Sequence, residues 1–161
     1  MPLKILNKNE MNEILNKLNE QFGIQKFPDN SILAKRGEEK IFLFTGDLSK
    51  EDISKIEKSS NIEGIGVYFC KVEEKSDLVR LSIEGAQLLQ NQISKNIIEL
   101  ENEKQVEEWM MGRELPIKTE NHEKHGFVII KYKEDFIGCG KASENKISNF
   151  IPKSRRLKEK G

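Results

Sequence analysis

The stretch Gly126-Phe127-Val128-Ile129-Ile130-Lys131-Tyr132-Lys133-Glu134-Asp135-Phe136-Ile137-Gly138-Cys139-Gly140-Lys141-Ala142-Ser143-Glu144-Asn145-Lys146-Ile147-Ser148-Asn149-Phe150-Ile151-Pro152-Lys153-Ser154-Arg155-Arg156 decides the fold of the second half of the chain. Apolar runs at 126–132 and 136–139 flank the polar triplet Lys133-Glu134-Asp135, which predicts two strands around a turn. Residues 147–151 read as a third strand, stopped by Pro152, which has no N–H for a ladder. Lys141, Lys146, Lys153, Arg155 and Arg156 fall close together on these strands and turns, where several are expected to share one face.

That basic end is hidden in the overall composition. The 161 residues hold 27 Lys/Arg and 27 Asp/Glu, a formal net charge of zero. From Asn121 to the end, ten Lys/Arg stand against five Asp/Glu, so this end carries +5 and residues 1–120 carry −5. A basic end on an acidic body points to a polyanionic partner.

Working back from Gly126, the polar stretch 113–124 contains Pro116 and reads as a loop. Val106, Trp109 and Met110 share a helix face that Gly112 ends, and Ile97-Ile98-Glu99-Leu100 reads as a strand. Further upstream, Met11, Ile14, Leu15, Leu18 and Phe22 form one apolar helical stripe, with Gly23 as its stop. Strands are expected at 32–34, 41–44, 67–70 and 78–81. A helix start is expected at Ser49, and a second helix runs from the Ser82 cap to Ile93. Helix and strand alternate before residues 94–96 and strands dominate after them. The expected fold class is therefore α+β, with one small domain at 1–94 and a β-rich, barrel-like domain at 95–161.

Recognisable catalytic patterns are missing. Gly138-Cys139-Gly140-Lys141-Ala142 lacks the spacing and hydroxyl of a phosphate-binding loop, and Gly64-Ile65-Gly66 enters a strand rather than a helix. Cys70 and Cys139 sit alone in strands rather than in the close pairs of a zinc site, His122-Glu123-Lys124-His125 lies in a loop and misses the helical spacing of a zincin, and no metal or cofactor is expected. A nucleophilic Cys139 with His125 as base is the remaining enzymatic reading. No apolar run reaches the ~18–20 residues of a membrane span, and the N-terminus has no secretory apolar region, so a cytoplasmic protein without membrane contact is expected.

Gly126, Val128, Tyr132, Gly138, Gly140, Lys141, Lys146, Asn149, Pro152, Lys153 and Arg156 resemble the pattern of the PUA-like RNA-binding domain attached to the rRNA methyltransferase RsmF and its relatives. Phe150 and Ser154-Arg155 depart from it. The order of elements before residue 95 is similar to the pre-PUA domain of PUA-containing ribosome-biogenesis factors. The implied architecture is a pre-PUA α/β domain followed by a PUA-like β pseudo-barrel. The implied activity is non-catalytic binding of structured rRNA or tRNA, with an RNA methyltransferase or ribosome-assembly factor as the implied protein partner. Phosphates are met by cations, so Lys141, Lys146, Lys153, Arg155 and Arg156 are the candidate contacts, and the resemblance adds Arg113 and brings it near Lys141 and Lys153. The glycines at 138 and 140 are read as room for a passing RNA backbone. Phe150 either stacks a base or joins the core. The competing reading is a protein-interaction adaptor in ribosome assembly, whose contact surface is the acidic helix around Glu103–Glu108 or the first helix, with an incidental basic surface.

Overall fold

The first helix is specified at both ends by its sequence. In the computed structural model, which describes residues 3–45, 66–116, 126–143 and 145–158, α1 spans Lys8–Phe22. Asn7 Oδ1 accepts from the Glu10 N–H at 2.9 Å, and the Asn7 N–H donates to Glu10 Oε1 at 3.1 Å. This reciprocal cap satisfies two of the helix's orphan donors. Gly23 closes the helix at φ +81°, a left-handed conformation that glycine adopts at little cost. Ile14, Leu18 and Phe22 of the predicted stripe are buried.

The buried face of α1 covers a five-stranded antiparallel sheet. Its strands are β1 (Leu3–Ile5), β2 (Ile32–Arg36), β3 (Lys40–Phe44), β4 (Val67–Val72) and β5 (Val79–Leu81), in that order. β1 has too few apolar residues to announce itself and forms by pairing with β2. The β3–β4 register breaks between Ile41 and Phe42: Ile41 faces Cys70 while Phe42 faces Tyr68. The extra residue, Phe69, is thereby turned inward, and both Phe69 and Cys70 are fully buried. The helix expected from Ser49 lies outside the described residues.

The buried Gln21 ties α1 to the edge strand. Its Nε2 donates to the Val79 carbonyl at 2.8 Å, and its Oε1 accepts from the Val79 N–H at 2.8 Å. The helix expected from Ser82 to Ile93 is divided. α2 spans Ile83–Leu88, and a 3₁₀ turn, Gln90–Gln92, follows. The turn aims Gln92 at the chain leaving α1, where its Oε1 accepts from the N–H groups of Gln25 and Lys26.

The second sheet has the order β6 (Ile97–Glu99), β7 (Phe127–Tyr132), β8 (Asp135–Ala142) and β9 (Ile147–Asn149). β6 runs parallel to β7, and the other pairs are antiparallel. α3 (Glu103–Met110) is capped by Asn102 and buries Trp109 against one face of this sheet. The opposite face presents Phe127, Ile129, Phe136 and Cys139 to the same apolar cluster that holds α1 and the first sheet. The fold is α+β, and the apolar cluster continues across residues 94 and 95.

Candidate nucleic-acid interface

The end of α3 forms one cationic corner. Asn149 Nδ2 donates to the carbonyls of Trp109 at 2.7 Å and Arg113 at 3.0 Å, while its Oδ1 accepts from the Ile151 N–H at 2.8 Å. This clamp fixes the Arg113 loop to β9. The Leu157 N–H donates to the Met110 carbonyl at 2.8 Å, which brings the C-terminal segment back over the same turn. The Arg156 side chain lies against Gly112, where a Cβ would collide with it, and its Nε donates to the Ile151 carbonyl at 2.9 Å. Gly112 has φ +91°, so only glycine fits both the turn and the arginine. Leu115 bridges to Ile147, and Lys146 beside it pairs with Glu114 at 2.8 Å. Lys153 is exposed in the 3₁₀ turn Lys153–Arg155 that follows Pro152.

Lys141 and Arg155 lie elsewhere, which corrects the expected single cleft. Side chains alternate across β8, so Lys141 points away from the Trp109 face. Its Nζ sits 5.5 Å from the Phe127 ring and 3.5 Å from Glu73 of the β4–β5 turn. Arg155 pairs with Glu84 in the first turn of α2. The six predicted cations thus divide into a corner of Arg113, Lys146, Lys153 and Arg156, and two residues directed at the first unit. Lys141, Lys146 and Arg155 each hold a carboxylate of the same chain. These pairs are substantially exposed, where an ion pair contributes only about 0–1 kcal/mol.

The glycines and Phe150 also differ from the expectation. A Cβ on Gly138 would meet Trp109 Nε1 at 2.9 Å, and one on Gly140 would meet Ile147 Cγ2 at 2.3 Å and the Ser148 carbonyl at 2.6 Å. These positions make room for the indole and the neighbouring strand, not for RNA. Phe150 is half-buried, edge-on to Phe127 at 5.9 Å, with the Arg80 guanidinium 4.3 Å from its ring centroid. Nothing in the residues around Arg80 singles it out; only strand register brings it to this junction.

Both thiols are buried. Burial pushes Cys139 up to about 12 and raises Cys70 further, so neither is a thiolate near neutrality. A folded-state pKa above the unfolded value gives stability that is present below about pH 9 and declines as pH rises beyond it. Native protein at pH 8 is therefore expected to leave both thiols unreacted with a chromogenic disulfide reagent, and urea-unfolded protein to release two equivalents. Rapid native labelling of Cys139 would restore the nucleophile reading. His125 lies outside the described residues. Among the described residues, no group of three or more His, Cys, Asp or Glu could hold a metal ion, and no helix is long and apolar enough to cross a membrane.

The second unit is a four-stranded sheet with one helix packed through Trp109 on one face. Residues 95–157 match the family model of the methyltransferase RsmF PUA domain. This segment is a PUA domain, and the match supports an RNA-binding module associated with RNA modification. No curated protein matches the chain.

Proposed function

We propose that the chain is a non-catalytic module that binds structured rRNA or tRNA in the cytoplasm, accessory to an RNA methyltransferase or a ribosome-assembly factor. The PUA match over residues 95–157 carries this reading. The clustering of Arg113, Lys146, Lys153 and Arg156 around the end of α3 supports it. Phosphates attract such cations and release counterions on contact. Arg113 and Lys153 are the principal contacts, with Lys146 at the flank. Arg156 braces the turn through Ile151 and Gly112. Lys141 and Arg155 join when phosphate displaces Glu73 and Glu84.

The test is RNA binding by the full chain over a range of salt. Arg113→Glu with Lys153→Glu is expected to weaken binding by about tenfold or more. The slope of log K against log salt should become shallower by roughly 0.7–0.9 for each phosphate that is no longer neutralised. Glu84→Gln should act in the opposite sense, tightening binding by roughly two- to fivefold, because an exposed ion pair of up to about 1 kcal/mol no longer competes for Arg155. An affinity indifferent to both changes would remove the reading, and negligible RNA affinity at moderate salt would favour a protein adaptor.

A further inference from the structure

Strand register in the first sheet sets four cations directly opposite one another. Arg36 faces Lys40, Lys40 faces Lys71, and Lys71 faces Arg80. Directly paired residues on antiparallel strands project from the same face with Cα atoms about 4.5–5.5 Å apart. The row therefore runs about 15 Å across β2, β3, β4 and β5. Like charges placed opposite each other work against sheet formation. Glu39 relieves part of this at Lys71, 3.4 Å away. An arrangement of this kind suits a bound polyanion.

Aromatic rings line the inner side of the row. Phe42 and Tyr68 are themselves a cross-strand pair with ring centroids 5.8 Å apart. The Arg36 guanidinium lies 5.8 Å from the Phe42 ring, and Lys40 Nζ 5.7 Å from the Tyr68 ring. Arg80 ends the row and joins it to the second unit through its stack on Phe150. From Phe150 the line continues through Phe127 to Lys141. Phe42 and Phe127 are buried, so these rings position the cations rather than stack bases, and the row meets a polyanion through its charge.

We propose that this basic row is a second contact for the RNA held by the PUA domain, receiving the backbone of a single strand that crosses the first sheet past Arg80. The inference rests on the RNA-binding reading and extends it to a domain that the family match does not reach. The row holds the strand through phosphates and so adds affinity without sequence preference.

The experiment compares full-length variants on one labelled RNA, a hairpin with a single-stranded tail. Lys40→Gln with Lys71→Gln is expected to weaken binding by roughly tenfold and to reduce the salt slope by about 1.4, the equivalent of two single-strand phosphates. It should melt no lower than wild type, because all three like-charge pairs are relieved against the loss of one partly exposed ion pair, Lys71–Glu39. Lys8→Gln with Lys26→Gln removes the same charge from exposed positions outside the row and should leave the slope unchanged. Full affinity in the row variant, while Arg113→Glu with Lys153→Glu still weakens binding, would overturn the second contact and leave the PUA reading standing. Equal weakening in the row variant and the Lys8/Lys26 variant would also overturn it. Wild-type protein with no salt-dependent binding would remove both.

Discussion

Trp109→Ala is expected to destabilise the protein by about 3–5 kcal/mol, as a large aromatic truncation in a packed core does. The indole is fully buried and touches both Gly138 and Gly140 of β8. Its Nε1 donates to the Ile137 carbonyl at 3.0 Å. Removing it opens a cavity that the two glycines, lacking side chains, cannot fill. It also leaves the carbonyl without its donor. Against a total stability of about 5–15 kcal/mol for an ordinary domain, the loss should be plain in a urea denaturation curve as a lower midpoint. Trp109→Phe keeps much of the ring but not the N–H, so it should fall between wild type and Ala. A midpoint unchanged by Trp109→Ala would show that α3 does not anchor the second sheet.

The second large effect is expected at Gln21. Gln21→Leu leaves the Val79 N–H and C=O, both now bonded to the side-chain amide, without partners in a buried place. Each orphaned group costs about 1–3 kcal/mol, so a loss of about 2–6 kcal/mol is expected. Gln21→Glu separates hydrogen bonding from packing. A carboxylate still accepts from the Val79 N–H but faces the Val79 carbonyl with negative charge. A protonated Glu reproduces both bonds. Its folded-state pKa would thus lie above the usual ~4.3, and its stability would be present below that value and lost as pH rises. Urea denaturation of Gln21→Glu at pH 4 and pH 7 checks this, with the larger deficit relative to wild type expected at pH 7. An equal deficit at both values would assign the role of Gln21 to shape alone.

The candidate site was partly legible. The strand pattern at Phe127–Tyr132 and Asp135–Ala142, the Ser82 cap and the Gly23 stop are local features, and each predicted its element. The cations Lys146, Lys153 and Arg156 were legible in the basic end, and Arg113 only through the family resemblance. Their shared corner depends on Asn149, which bonds to carbonyls 36 and 40 positions away. Nothing about an asparagine in a strand announces such distant partners. Gly138 and Gly140 show the reverse case. Their lack of side chains was visible, but whether the space served RNA or Trp109 depended on which face of β8 each one took.

Local alternation, helix periodicity and caps were enough to define an α+β chain with a basic C-terminal β unit, because each acts within a few residues of chain. Tertiary structure alone decided where the charges went. A single extra residue at Phe69 changes which neighbours share a face, since side chains alternate with a period of two. The same dependence on register turns Lys141 toward Glu73 and aligns Arg36, Lys40, Lys71 and Arg80 into a row. Those partners are separated in sequence and meet only when the strands pair.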